Sequence, residues 1–113
     1  MADDAEQLTA ADRERFYDEE LAPVLADMAK RCAEKGLSFV ALVEWDFGEV
    51  GHTGSLREGR GPQIENASAA AFAGDNVDAL IMHLMRKATE HGHSSMFLHQ
   101  LGVPTTPEAG KPH

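Results

Sequence analysis

One cysteine, Cys32, stands in a chain of 113 residues, so no internal disulfide is available to staple the fold. Basic side chains are scarce as well: 10 lysines and arginines face 19 acids, for a net charge of −9. Eight of those 19 acids fall within the first twenty residues. Such a balance repels phosphate backbones and anionic bilayers, and so disfavours direct nucleic-acid binding and attachment to membranes. No apolar run approaches the roughly 20 residues that a membrane-spanning helix requires. The opening MADDAEQ is acidic where a secretory signal would be basic. The expectation is a soluble, cytoplasmic protein.

Motifs that announce chemistry are missing too. There is no G-x-x-x-x-G-K-[ST] phosphate loop, no dinucleotide fingerprint and no H-E-x-x-H zinc helix. No nucleophile–base set surrounds Cys32, which belongs to an apolar helix face. The sequence therefore predicts no catalytic residue and no cofactor.

What remains is a globular composition, 42% hydrophobic and 26% charged, sized for a single core. The expected organisation is a flexible acidic segment over residues 1–8, one α+β domain over 9–103 and a flexible tail over 104–113. Thr9 and Asp12 form a capping-box-like start, and a helical pattern runs from there to Lys35. Tyr17, Leu21, Val24, Met28 and Cys32 mark its apolar stripe, widened by Phe16 and Leu25. Pro23 predicts a kink, or a second helix beginning with proline in its first turn. Gly36 is placed to end the helix in the left-handed conformation.

Residues 37–47 alternate as a strand, with Phe39, Ala41, Val43 and Trp45 on one face and Val40 and Leu42 on the other. Asp46-Phe47-Gly48-Glu49 reads as a turn into a weaker strand over 50–56, completing a β-hairpin. A short helix over 64–73 follows, then a long amphipathic helix over 76–90 capped by Asp75. A last short helix is capped by Ser94. Helices packed on one face would leave the hairpin with an uncovered face and two edges.

Four groups of residues have the chemistry of a functional site. Val40, Leu42, Trp45, Phe47 and Met82 suit a contact surface, because tryptophan, phenylalanine and methionine are enriched at interfaces. Arg57 and Arg60, in the glycine-containing loop 57–63, suit a small anion. His83, His91, His93 and His99 supply imidazoles that suit zinc, copper or nickel if they converge. Paired Glu44 and Asp46, on one strand face, have the residue types for acid–base work but sit at a strand end beside a turn.

The stretches FYDEELAPVLADMAKRCAEKGLSFVALVEW and DALIMHLMRKATEHGHSSMFL, with the ending LGVP, resemble small accessory proteins encoded in bacteriophage and prophage genomes. The resemblance spans most of residues 16–104 and implies a dispensable protein acting through a partner inside a bacterial host. It carries no assigned catalytic or binding residue. The leading expectation is a non-enzymatic interaction module of bacterial or phage origin. It would be homodimeric and bind a further protein. One alternative is an acidic nucleic-acid mimic, through Asp12, Glu14, Asp18, Glu19 and Glu20, that occupies a host DNA- or RNA-binding protein. Another is a small metalloprotein built on the histidine cluster.

Overall fold

A computed structural model describes residues 8–107, and the acidic residues 1–7 and the end 108–113 lie outside the described residues. The chain divides into two compact units, Met1–Ala71 and Phe72–His113. Its class is α+β: a long N-terminal helical segment, a two-stranded antiparallel hairpin and three further helices.

In the first unit, α1 (Ala10–Phe16) starts on a complete capping box. Thr9 Oγ1 accepts the Asp12 N–H at 3.0 Å, and Asp12 Oδ2 accepts the Thr9 N–H at 3.1 Å. A π-helical turn, Tyr17–Leu21, follows directly, and α2 (Ala22–Glu34) continues from it with Pro23 in its first turn. Proline offers no N–H to the carbonyl four residues back, and its ring clashes with that carbonyl. Here the preceding turn widens to make room: the Ala22 N–H reaches back five residues to the Tyr17 carbonyl.

The widened turn has a consequence for packing. One added residue rotates everything after it by about 100° around the helix axis. The stripe predicted from uniform spacing is therefore broken. Tyr17 is buried and Leu21, Leu25 and Cys32 are half-buried as the stripe predicts, but Phe16, Val24 and Met28 are exposed and Ala29 turns in. α2 ends as expected, with Gly36 at φ 74° and the Leu37 N–H returning to the Cys32 carbonyl at 2.8 Å.

β1 (Phe39–Asp46) and β2 (Glu49–Ser55) pair from Phe39↔Ser55 to Asp46↔Glu49 through a turn that Gly48 closes at φ 75°. The register passes from Glu44↔Val50 to Asp46↔Glu49, so Trp45 is an extra residue, a β-bulge. Its carbonyl receives the Arg13 Nε–H at 2.6 Å, which ties α1 to the bulge. α1 lies along β1, and α2 packs across both strands. Tyr17 stacks on Trp45 with ring centroids 5.2 Å apart. The same ring lies so close over Gly51 that a methyl group there would overlap its hydroxyl and edge. β2 therefore needs glycine at this position to admit the tyrosine. α3 (Pro62–Ala73) opens with proline and crosses the division between the units.

In the second unit, α4 (Val77–His91) is capped by Asn76, whose Oδ1 accepts the Ala79 N–H at 3.0 Å. α5 (Met96–Gln100) is capped by Ser95, whose Oγ accepts the Leu98 N–H at 3.1 Å. Both caps lie one residue beyond the predicted Asp75 and Ser94, because each helix begins one residue later than its polar cluster suggests. Gly102, at φ 94°, ends α5, and the Val103 N–H bonds the Leu98 carbonyl at 2.9 Å. Ordered contacts continue beyond Val103: the Thr105 carbonyl accepts the His93 N–H at 2.9 Å.

Burial is thin throughout. Among the described residues the buried apolar side chains are Tyr17, Ala29, Ala88 and Val103, and no large side chain is fully buried.

Candidate functional site

The hairpin presents two unlike faces. Gly51 pairs with Val43, and the Tyr17 ring lies over it, so the helices of the first unit cover the face of Phe39, Ala41, Val43 and Trp45. The other face carries Val40, Leu42 and Val50. Leu42 is 50% exposed and Val50 42%, while Val40 is half-buried. At the tip, Phe47 is 96% exposed. Trp45, grouped with these by sequence, belongs instead to the stack with Tyr17 and is half-buried. Met82, on α4 of the second unit, is 64% exposed.

Beside the stack lies a groove of about 190 Å³, walled by Leu8, Phe16, Tyr17, Leu21, Val43 and Trp45. Its two charged neighbours are Arg13 and Glu44. Arg13 donates to the Leu8 carbonyl at 2.8 Å and to the Trp45 carbonyl, with its Nη2 3.7 Å from Asp46 Oδ1. Glu44 Oε2 accepts the Gly48 N–H at 3.3 Å. Glu44 and Asp46 thus serve the turn and the Arg13 clamp rather than each other. Sequence reasoning missed this groove, since Leu8 precedes the helical pattern and the role of Arg13 depends on a bulge that no motif announces.

Of the two arginines, the guanidinium of Arg60 is committed to neighbouring groups, while Arg57 is held through its backbone. Arg60 Nε donates to Glu65 Oε1 at 2.6 Å, and its Nη1 to the Arg57 carbonyl at 3.1 Å. The Arg57 N–H is held by Ser38 Oγ at 3.2 Å. An anion at Arg60 would have to displace a carboxylate.

The four histidines do not converge: among the described residues no group of three or more His, Cys, Asp or Glu is placed to hold a metal. His83 Nδ1 lies 3.2 Å from Arg86 Nη2, and His91 Nε2 lies 3.7 Å from Glu90 Oε1. His99 is exposed on α5. His93 has a structural task. Its Nδ1 accepts the Ser95 N–H at 2.9 Å, which puts the ring proton on Nε2, 3.0 Å from the Val103 carbonyl that accepts it.

Of the five acids proposed to mimic nucleic acid, Asp12 is taken up by the capping box and by Arg15, whose Nη2 lies 2.7 Å from its Oδ1. The Thr9 N–H, then the Thr9 hydroxyl and Arg15, hold its carboxyl below the ordinary aspartate range. Glu14, Asp18, Glu19 and Glu20 are exposed.

No family model matches this chain, and comparisons with curated proteins and with solved structures give no significant match. Among the described residues no helix is long and apolar enough to cross a membrane.

Proposed function

We propose that this protein is a non-enzymatic interaction module of bacterial or phage type, working in the cytoplasm, that docks first onto a second copy of itself. One observation carries the reading: a hairpin covered by helices on one face keeps Leu42, Val50 and the tip residue Phe47 in solvent. A two-stranded ribbon covered on one side is marginal in water. Exposed apolar residues gathered on one sheet face and its tip are the usual mark of a docking surface. A further protein partner would use Met82, which is exposed on α4 of the second unit.

Sedimentation equilibrium across the micromolar range tests this. The expected result is a mass of two chains. The double variant Leu42→Lys, Val50→Lys should shift it to one, because each interface would then bury uncompensated charge. A wild-type mass of one chain at about 100 μM, far above the dissociation constant of a specific dimer, would overturn the reading.

A further inference from the structure

We infer that His93 is a pH-operated latch on the start of α5: the neutral ring holds Ser95 in place, and a second ring proton releases it. This goes beyond the interaction surface proposed above and does not depend on it.

Backbone groups fix the proton of the neutral ring. The Ser95 N–H can only donate, and it meets Nδ1 at 2.9 Å, so Nδ1 presents a lone pair. The ring's one proton is then on Nε2, 3.0 Å from the Val103 carbonyl. The main chain beneath the ring is held as well. The Gly92 N–H donates to the Ala88 carbonyl at 2.8 Å, and the His93 N–H to the Thr105 carbonyl at 2.9 Å.

Ser95 passes the constraint on. Its hydroxyl accepts the Leu98 N–H at 3.1 Å and caps α5, a helix of 5 residues. So short a helix does not hold itself together, because nucleation costs more than one turn of hydrogen bonds returns. The ring positions the cap, and the cap holds the turn that displays Met96 and Phe97, 78% and 68% exposed.

Acid removes one of the two ring bonds and strengthens the other. Histidine changes charge between about pH 5 and 8. A proton arriving from solvent binds at Nδ1 and takes the lone pair that the Ser95 N–H was using. Two donors then face each other, and that bond is gone. The Nε2–H stays on the Val103 carbonyl and, as part of a cation, bonds it more firmly. The ring thus keeps its hold on the chain after α5 and lets go of the chain before it.

The charges on the segments that the latch joins give the imidazolium no free carboxylate. From Gly92 to Pro107 the titratable groups are His93 itself and His99, which is exposed on α5. Residues 103–107 carry no charged side chain. The last turn of α4 carries Lys87, Glu90 and His91. Glu90 Oε1 is shared between Lys87 Nζ at 3.9 Å and His91 Nε2 at 3.7 Å.

Amide hydrogen exchange on the full chain, followed by NMR and corrected for the intrinsic rate at each pH, tests the latch. Between about pH 7.5 and 5.5, protection at Ser95 and Leu98 should fall about 10-fold, the factor that one hydrogen bond supplies. The Gly92 amide, bonded into α4, should keep its protection. His93→Asn puts beside Ser95 a carbonyl oxygen that accepts the N–H and does not titrate, so both amides should become independent of pH. His91→Gln and His99→Gln should leave the wild-type dependence intact. The imidazole ¹⁵N shifts of the wild-type chain should report a proton on Nε2 alone in the neutral ring.

Exchange at Ser95 that ignores pH, or a dependence that survives His93→Asn, would overturn the latch. So would a neutral wild-type ring with its proton on Nδ1, a result that stands even where the asparagine variant does not fold. An equal loss of protection at Gly92 would mean that acid opens the second unit as a whole, and it would overturn the latch too.

Discussion

The two units of this chain keep their shape by different means. The first is organised around a side-chain stack: Trp45, Tyr17 and Gly51 lie in succession, and Arg13 clamps the bulge beside them. The second relies on backbone and polar termini. Caps at Asn76 and Ser95, a glycine end at Gly102 and three hydrogen bonds at His93 position its turns around Ala88 and Val103. Packing dominates where an aromatic can be brought over a glycine. Where the apolar residues lie mostly on one helix, closing the chain falls to donors and acceptors.

Three experiments would break or sharpen this contrast. The largest effect should come from Tyr17→Ala, which removes the centre of the stack. Truncating a buried aromatic costs about 3–5 kcal/mol. Urea unfolding followed by the fluorescence of Trp45, the single tryptophan, reads it directly. A loss below about 1 kcal/mol would mean that the stack is not what holds the hairpin to its helices.

His93→Ala should come next. It strips the Ser95 N–H and the Val103 carbonyl of their side-chain partner, at a cost of about 1–3 kcal/mol. Amide exchange at Ser95 and Val103 should then quicken about 10- to 100-fold. Unchanged exchange at both would remove His93 from the account of the second unit.

The smallest effect concerns acid. Asp12 titrates below its ordinary value in the folded chain. Its contribution is therefore complete above the unfolded-state value and disappears as pH falls through the lower, folded-state one. The start of α1 should fray in that acid window, and Asp12→Asn should abolish the dependence. An Asp12 carboxyl that titrates in the folded chain at or above the value of an unstructured aspartate would contradict the capping box.

Much of the architecture was legible in the sequence, for local reasons. The Thr9–Asp12 box, the Gly36 terminus, the period-two run into Trp45 and the Gly48 turn each depend on residues only a few positions apart. What was not legible depended on distant groups. Pro23 announced a disturbance but not its form, a widened turn that rotates the following helix while Tyr17 lies over Gly51, thirty-four residues away in sequence. For that reason Val24 and Met28, inward by uniform spacing, face out.

Of the candidate site, the exposure of Leu42 and Phe47 was readable from alternation and turn chemistry. The groove was not, since it needs Leu8, Phe16 and Val43 brought together by the fold. The histidines share a short stretch of sequence, yet the His93 ring is occupied by backbone groups two and ten residues on, which composition cannot reveal.

The π-helical turn makes chain length a control on this molecule. The turn takes up one residue more than uniform winding would, so deleting a single residue between Tyr17 and Leu21 would let the helix wind uniformly while Leu25, Ala29 and Cys32 still met the hairpin. Uniform winding at the present length would instead bring Val24 and Met28 in and send Ala29 out. The extra residue is thus the register pin that decides which row of this helix is concealed.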